Sequence, residues 1–220
     1  MNIKKLVFVL GMTGFPAFLF SQSGFAIGYN VGVFRSGHRN IQAYSQMYNL
    51  AAGSELKSEM KMTGFYRGIV LGWKMNTDKV LIGVRWSTKK AVSSEGENAD
   101  GTERLRMRLN TYNLELAMGG EKIKAGFSLD AGGLRVQKKV TNKNSWEAFY
   151  DGNTILSSGS IATGITLFMD IQPGKYLEFR PFIQLPLGQV EILDKRTLRS
   201  YAHPIANFGF SLCFILPTDD

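Results

Sequence analysis

The chain has 220 residues, a formal net charge of +8, 44% hydrophobic residues, 24 glycines and a single cysteine. That length suits one domain, and beyond the N-terminal segment no stretch reaches the ~20 apolar residues of a membrane-spanning helix, which excludes a helical membrane protein. Cys213 alone cannot form an internal disulfide, and the cations are scattered without a basic helix or an RNA-type aromatic motif, which argues against nucleic acid as a partner.

Residues 1–22 read as a secretory signal peptide, with Lys4 and Lys5 as the basic start, Leu6 to Phe20 as the apolar core, and Ser21 and Ser23 as small residues for cleavage. Its removal takes the charge from +8 to +6. No Cys follows the apolar core to accept a lipid. Residues 23–220 are expected to form one β domain, because a period-two pattern runs through them.

The first expected strand sets Phe25, Ile27, Tyr29, Val31 and Val33 against Ala26, Gly28, Asn30 and Gly32. The second, Phe65 to Met75, sets Ile69, Leu71, Trp73 and Met75 against Gly68, Val70, Gly72 and Lys74. In the third, Val80, Ile82, Val84 and Trp86 oppose Leu81, Gly83, Arg85 and Ser87. The fourth, near Leu105 to Met118, ends with Leu114, Leu116 and Met118 opposite Asn113, Glu115 and Ala117. The fifth sets Ile123, Ala125, Phe127 and Leu129 against Lys124, Gly126, Ser128 and Asp130. The sixth alternates Ile161, Thr163, Ile165, Leu167, Met169 and Ile171 with Ala162, Gly164, Thr166, Phe168 and Asp170. The seventh, Tyr176 to Leu187, sets Leu177, Phe179, Ile183 and Leu185 opposite Glu178, Arg180, Phe182 and Gln184, with Pro181 and Pro186 marking a bulge or the strand end. The eighth sets Ala206, Phe208, Phe210, Leu212 and Phe214 opposite Asn207, Gly209, Ser211 and Cys213.

Connections alternate between long (36–61, 89–103, 137–159, 188–201) and tight (76–78, 119–121, 173–175). Outer-membrane barrels share this rhythm, with short periplasmic turns and longer extracellular loops. The expected fold is therefore an eight-stranded antiparallel up-and-down transmembrane β-barrel in the cell outer membrane. A soluble lipocalin-like barrel would need a hydrated outer face, whereas the second face here is dominated by Gly, Ala, Ser and Asn with isolated charges, which suits a narrow interior filled by side chains.

In the fourth strand Leu105, Met107 and Leu109 are out of phase with Tyr112, Leu114, Leu116 and Met118. A bulge near Asn110 or Thr111 would put Arg106 and Arg108 inside. Alternatively the strand extends above the membrane and shows those arginines to the outer headgroups, which fits better because the lower part already supplies the ~9 residues needed to cross.

The segment Asn207-Phe208-Gly209-Phe210-Ser211-Leu212-Cys213-Phe214 resembles the C-terminal signal of outer-membrane proteins, in which Asn207, Gly209, Leu212 and Phe214 occupy the informative positions. That resemblance implies insertion by the barrel assembly machinery, although Ile215 to Asp220 follow Phe214 where the signal ordinarily ends. The stretch from Asn113 to Met118, followed by Phe127 to Gly132, is similar to paired strands of the small barrel family of Bacteroidota that includes PorT-like proteins, with Ala117 where that family often has proline. It implies contact with secretion components. The mature chain also resembles OmpX-type barrels.

No catalytic, cofactor or metal constellation stands out. His38 and His203 are far apart in sequence and lack the His-x-Ser pattern of lipid A deacylases. Lys74, Arg85, Glu115, Lys124, Asp130, Asp170, Glu178 and Arg180 are expected to face inward, where an eight-stranded barrel is filled by side chains, so paired charges forming a plug are favoured over a narrow solute channel. Phe25, Phe65, Trp73, Trp86, Tyr176 and Phe214 suit interfacial girdles, and Ile41, Tyr44, Met47, Tyr48 and Leu50 have the spacing of a short capping helix. In the third long loop Trp146, Phe149 and Tyr150, among lysines, are the candidate contact for an extracellular ligand. Surface cations suggest outer-membrane lipid and lipopolysaccharide as partners. The expected role is non-enzymatic, structural or adhesive through the long loops. Alternatives are a secretion accessory, a solute channel or a lipid A modifying enzyme.

Overall fold

Extended backbone sends successive side chains to opposite faces, and the chain uses that geometry for eight long strands: β1 (Gln22–Phe34), β2 (Phe65–Asn76), β3 (Val80–Val92), β4 (Gly101–Gly119), β5 (Ile123–Val140), β6 (Ile161–Gly174), β7 (Leu177–Pro186) and β8 (Asn207–Pro217). They come from a computed structural model that describes residues 22–34, 45, 49–50, 57–61, 64–98, 101–140, 145–148, 150–151, 154–155, 161–187, 190–194, 199–203 and 206–218. The signal segment 1–21, His38, Phe149 and the helical-spacing positions Ile41, Tyr44, Met47 and Tyr48 lie outside the described residues.

Each strand pairs antiparallel with the next, and β8 pairs with β1 from Gly24 opposite Pro217 to Phe34 opposite Asn207. That last pairing closes the sheet into an eight-stranded barrel and leaves it without a free edge. Tight turns gather at one end. In the first of them the Thr77 hydroxyl accepts from the Val80 amide at 2.9 Å and donates to the Val80 carbonyl at 3.1 Å, which sets the reversal locally. Thr218 bonds through its amide to the Ser23 carbonyl at the same end, so the start of β1 and the end of β8 lie with the tight turns.

At the opposite end the expected loops are more ordered than their composition suggests. β3 runs on to Val92 and β4 begins at Gly101, with a short strand, Gly96–Asn98, folding back on β4. The span 89–103 is therefore mostly hairpin and not the long loop expected from its polar residues. β5 continues to Val140, well into the span 137–159 expected as loop, and Glu147–Ala148 pairs with it. Tyr150–Asp151, Thr154–Ile155, Val190–Asp194 and Arg199–His203 build a second, four-stranded sheet, so the third and fourth long connections are joined. In the first connection Ser45, Asn49 and Leu50 are helical, but Leu50 is exposed, so it does not serve as part of an apolar cap.

The register of β4 is unbroken against both neighbours, from Val80 opposite Met118 to Val92 opposite Arg106, and from Glu103 opposite Val140 to Gly119 opposite Lys124. There is no bulge. The odd-numbered residues of β4 face inward and the even-numbered ones outward, with Met107 0% exposed and Leu114 57% exposed. The strand extends and shows Arg106 and Arg108 outside, while Leu109 and Met107 pack inward with Phe34, Tyr66, Ala91 and Leu134.

At the lower levels the polarity is the reverse. Ile27, Ile69, Val84, Leu114, Phe127, Leu167, Ile183 and Phe210 are exposed on the outside, and polar side chains fill the inside. An exposed apolar surface this continuous would aggregate in water, and closure satisfies the backbone, the two conditions met by a barrel in lipid. The chain spans an outer membrane as a β-barrel. Pro181 has no N–H to give the ladder, yet β7 holds one register against β6 across it, from Phe182 opposite Phe168 to Phe179 opposite Ile171; the register shift falls between Ile171 and Gly174, next to the turn, and Pro186 ends the strand.

Candidate functional site

The barrel interior holds the densest chemistry in the described residues, in two tiers. The lower tier is an ion cluster. Lys74 Nζ lies 2.6 Å from Glu178 Oε2 and Arg85 Nη2 lies 2.8 Å from Glu178 Oε1, so one buried carboxylate spans two cations. Arg85 also reaches Glu115 at 3.0 Å, and Arg180 joins Glu115 at 2.6 Å and Asp170 at 2.9 Å. Three cations and three carboxylates thus balance among Lys74, Arg85, Arg180, Glu115, Asp170 and Glu178, all buried. Charge removed from water is costly unless it is paired and hydrogen-bonded, and here six side chains on five different strands meet that condition together. The Arg180 guanidinium also stacks on Phe168, 4.1 Å from its centroid.

The upper tier is bridged by amides. Lys89 Nζ donates to Gln184 Oε1 at 2.6 Å and to Asn207 Oδ1 at 2.9 Å. Gln184 Nε2 in turn donates to Asp130 Oδ2 at 2.7 Å, and Asn113, Ser128 and Thr166 also donate to Asp130. Gln184 therefore couples a buried ammonium to a buried carboxylate without their touching. Tyr66 completes the tier by donating its hydroxyl to Asn207 Oδ1 at 3.2 Å. Room for that ring comes from glycine: a Cβ on Gly32 would stand 2.4 Å from the Tyr66 hydroxyl, and one on Gly209 2.8 Å from it.

The space remaining between the tiers is about 30 Å³, room for a water or two. Asn30 and Arg180 border it, and Asn30 Oδ1 and Arg180 Nη2 have no hydrogen-bond partner among the described residues. The interior is a filled plug with a small pocket bordered by polar groups of both tiers.

Of the eight residues expected as one interior network, six form the ion cluster and Asp130 anchors the other tier. Lys124 stands apart, because its ammonium is spent on the carbonyl of Gly120, at 3.0 Å, in the turn just before it. Lys89 was missed. Its pattern position matched the inward face of β3, but the polar run that follows made it look like loop.

Asn207 and Gly209 of the C-terminal segment belong to the upper tier, while Leu212 and Phe214 point outward to lipid. Trp146, expected to reach outward, is half-buried with the Arg106 guanidinium 4.3 Å from its ring centroid. Tyr150 lies in the second sheet. Cys213 is buried, with Sγ 3.5 Å from Arg85 Nη1.

No protein-family model matches the chain, and no curated protein does. Among solved structures it is similar to Ail, the attachment invasion locus protein of Yersinia pestis, at 10% identity and a TM-score of 0.48, over 89% of this chain and 98% of that one. It is also similar to Neisserial surface protein A, at 8% identity and a TM-score of 0.39 over 87% and 95% of the two chains. OprG from Pseudomonas aeruginosa gives 10% identity and a TM-score of 0.39 over 89% and 95%. These are likenesses of fold.

Proposed function

We propose that this protein is a non-enzymatic outer-membrane barrel that acts at its outer end, as a rigid post presenting extracellular hairpins for adhesion or recognition. The carrying observation is that the interior is packed with balanced charge while β4 and β5, at 19 and 18 residues, run far beyond the ~9–11 needed to cross a bilayer. A filled lumen favours presentation over solute passage, and the joined third and fourth connections give the outer end a sheet of its own. Deleting residues 138–158 tests the reading. Cells displaying the intact and the deleted barrel are compared for retention on immobilised glycan and protein arrays, with heat-modifiable migration as the check on insertion. Loss of retention with insertion preserved supports the role; equal retention rejects that region as the contact.

The similarity of Asn113 to Met118 to PorT-like barrels supports a second reading, contact with secretion components. Crosslinked purification that recovers no such components would reject it.

A further inference from the structure

The outer wall of β2 to β5 changes chemistry abruptly above the apolar band. Strand register sets Arg67 opposite Lys90, Lys90 opposite Arg108, and Arg108 opposite Arg135. All four occupy outward positions, since Tyr66, Ala91, Met107 and Leu134 beside them are buried inside the barrel. Like charges directly opposite on adjacent strands destabilise a sheet. Among the described residues no carboxylate pairs with any of the four, and the nearby acids are engaged elsewhere: Glu95 with Arg104 and Glu103 with Lys138. Arg106, one level higher, is held by Gln137 and Trp146, and Arg108 donates to Asn110 at 3.1 Å. The row is a line of positive charge short of counter-charge.

Directly beneath it the same strands frame a surface groove of about 570 Å³ with an almost wholly apolar lining, between Trp73, Val84, Trp86, Tyr112, Leu114 and Ala131. Trp86 to Lys90, Tyr112 to Arg108 and Ala131 to Arg135 each span four residues, about 13 Å along a strand. The groove thus lies at hydrocarbon depth and the cations at headgroup depth. A soluble polyanion would meet only the row. A lipid carrying phosphate on its head would meet both, with guanidinium and phosphate matched for paired hydrogen bonds.

We propose that this face binds one outer-leaflet glycolipid bearing phosphate esters, with its head-group phosphates on Arg67, Lys90, Arg108 and Arg135 and an acyl chain in the groove below. The site is on the wall and stands whether or not the extracellular hairpins bind anything.

The test uses the full barrel purified from outer membranes into detergent, titrated with bisphosphorylated lipid A, with its dephosphorylated form and with inositol hexakisphosphate, and read by native mass spectrometry. Bisphosphorylated lipid A is expected to remain at one molecule per barrel, and loss of its phosphates to weaken retention by at least about tenfold. The variant R67Q/K90Q/R108Q/R135Q is expected to show the same loss. Ala131→Trp, which fills the groove, should weaken lipid A and leave inositol hexakisphosphate unchanged. Equal retention of the two lipid forms, unchanged retention by the quadruple variant, or inositol hexakisphosphate binding as tightly as lipid A would overturn the proposal. If heat-modifiable migration shows that the quadruple variant is unfolded, the double variant R67Q/R135Q decides on the same criterion.

Discussion

Glu178→Gln keeps the shape of the ion cluster and removes one of its charges. Glu178 is 0% exposed and accepts from Lys74 at 2.6 Å and Arg85 at 2.8 Å, so the substitution leaves three cations facing two carboxylates in a sealed interior. Removing one partner of a buried pair costs about 3–5 kcal/mol, most of it the stranded charge. With slopes of roughly 1–3 kcal/mol per molar urea, the unfolding midpoint should fall by about 1 M or more. The companion Lys74→Met restores balance at two against two, and the double variant should recover at least half of the loss. Urea titration of refolded barrels in lipid vesicles, followed by tryptophan fluorescence and heat-modifiable migration, measures both. A loss of less than about 1 kcal/mol for Glu178→Gln, the value of a solvated pair, would show that water screens these charges and that the lumen is a conduit.

Further outcomes follow from the same geometry. Planar bilayers holding the purified barrel should show no conductance steps, and a regular unitary conductance would refute the filled interior. Lys89→Met should destabilise by about 1–3 kcal/mol by removing two charge-assisted hydrogen bonds, to Gln184 and Asn207, and leaving the buried Asp130 carboxylate in a tier without a cation, and urea titration should find much of that loss absent when Asp130→Asn is already present. Leu114→Arg, on the lipid face, should cost about 2–4 kcal/mol in vesicle refolding, whereas Arg108→Leu, above the band, should change stability by less than about 0.5 kcal/mol. Gly32→Val should cost about 1–3 kcal/mol even in a Tyr66→Ala background, because its Cβ would also stand 2.2 Å from the Phe208 carbonyl oxygen.

Most of the membrane-level wall was legible in the sequence, because a period of two is the signal that a half-lipid, half-interior strand imprints on its residues. Phe25 to Val33 and Phe208 to Phe214 alternate so regularly that face and approximate limits follow directly. The extension of β3, β4 and β5 was harder to read, since Lys89, Lys90, Arg104 and Arg106 look like loop composition until the pairing shows them to be rungs of a ladder. The eight interior charges could be named from phase alone, but phase holds no partner information. That Lys124 turns to a carbonyl three to four residues away, and that Gln184 links Lys89 to Asp130, depends on which strands the barrel brings across from one another.

The reversal of polarity along β4, oily outward at Leu114 and oily inward at Met107, gives the molecule a built-in waterline. Below it, the fold relies on the bilayer; above it, Leu109, Leu134, Tyr66 and Phe34 form a small interior of the kind found in water-soluble proteins. The outer hairpins accordingly stand on a footing that does not thin or thicken with the lipid, and adjustment to bilayer thickness falls to the end with the tight turns.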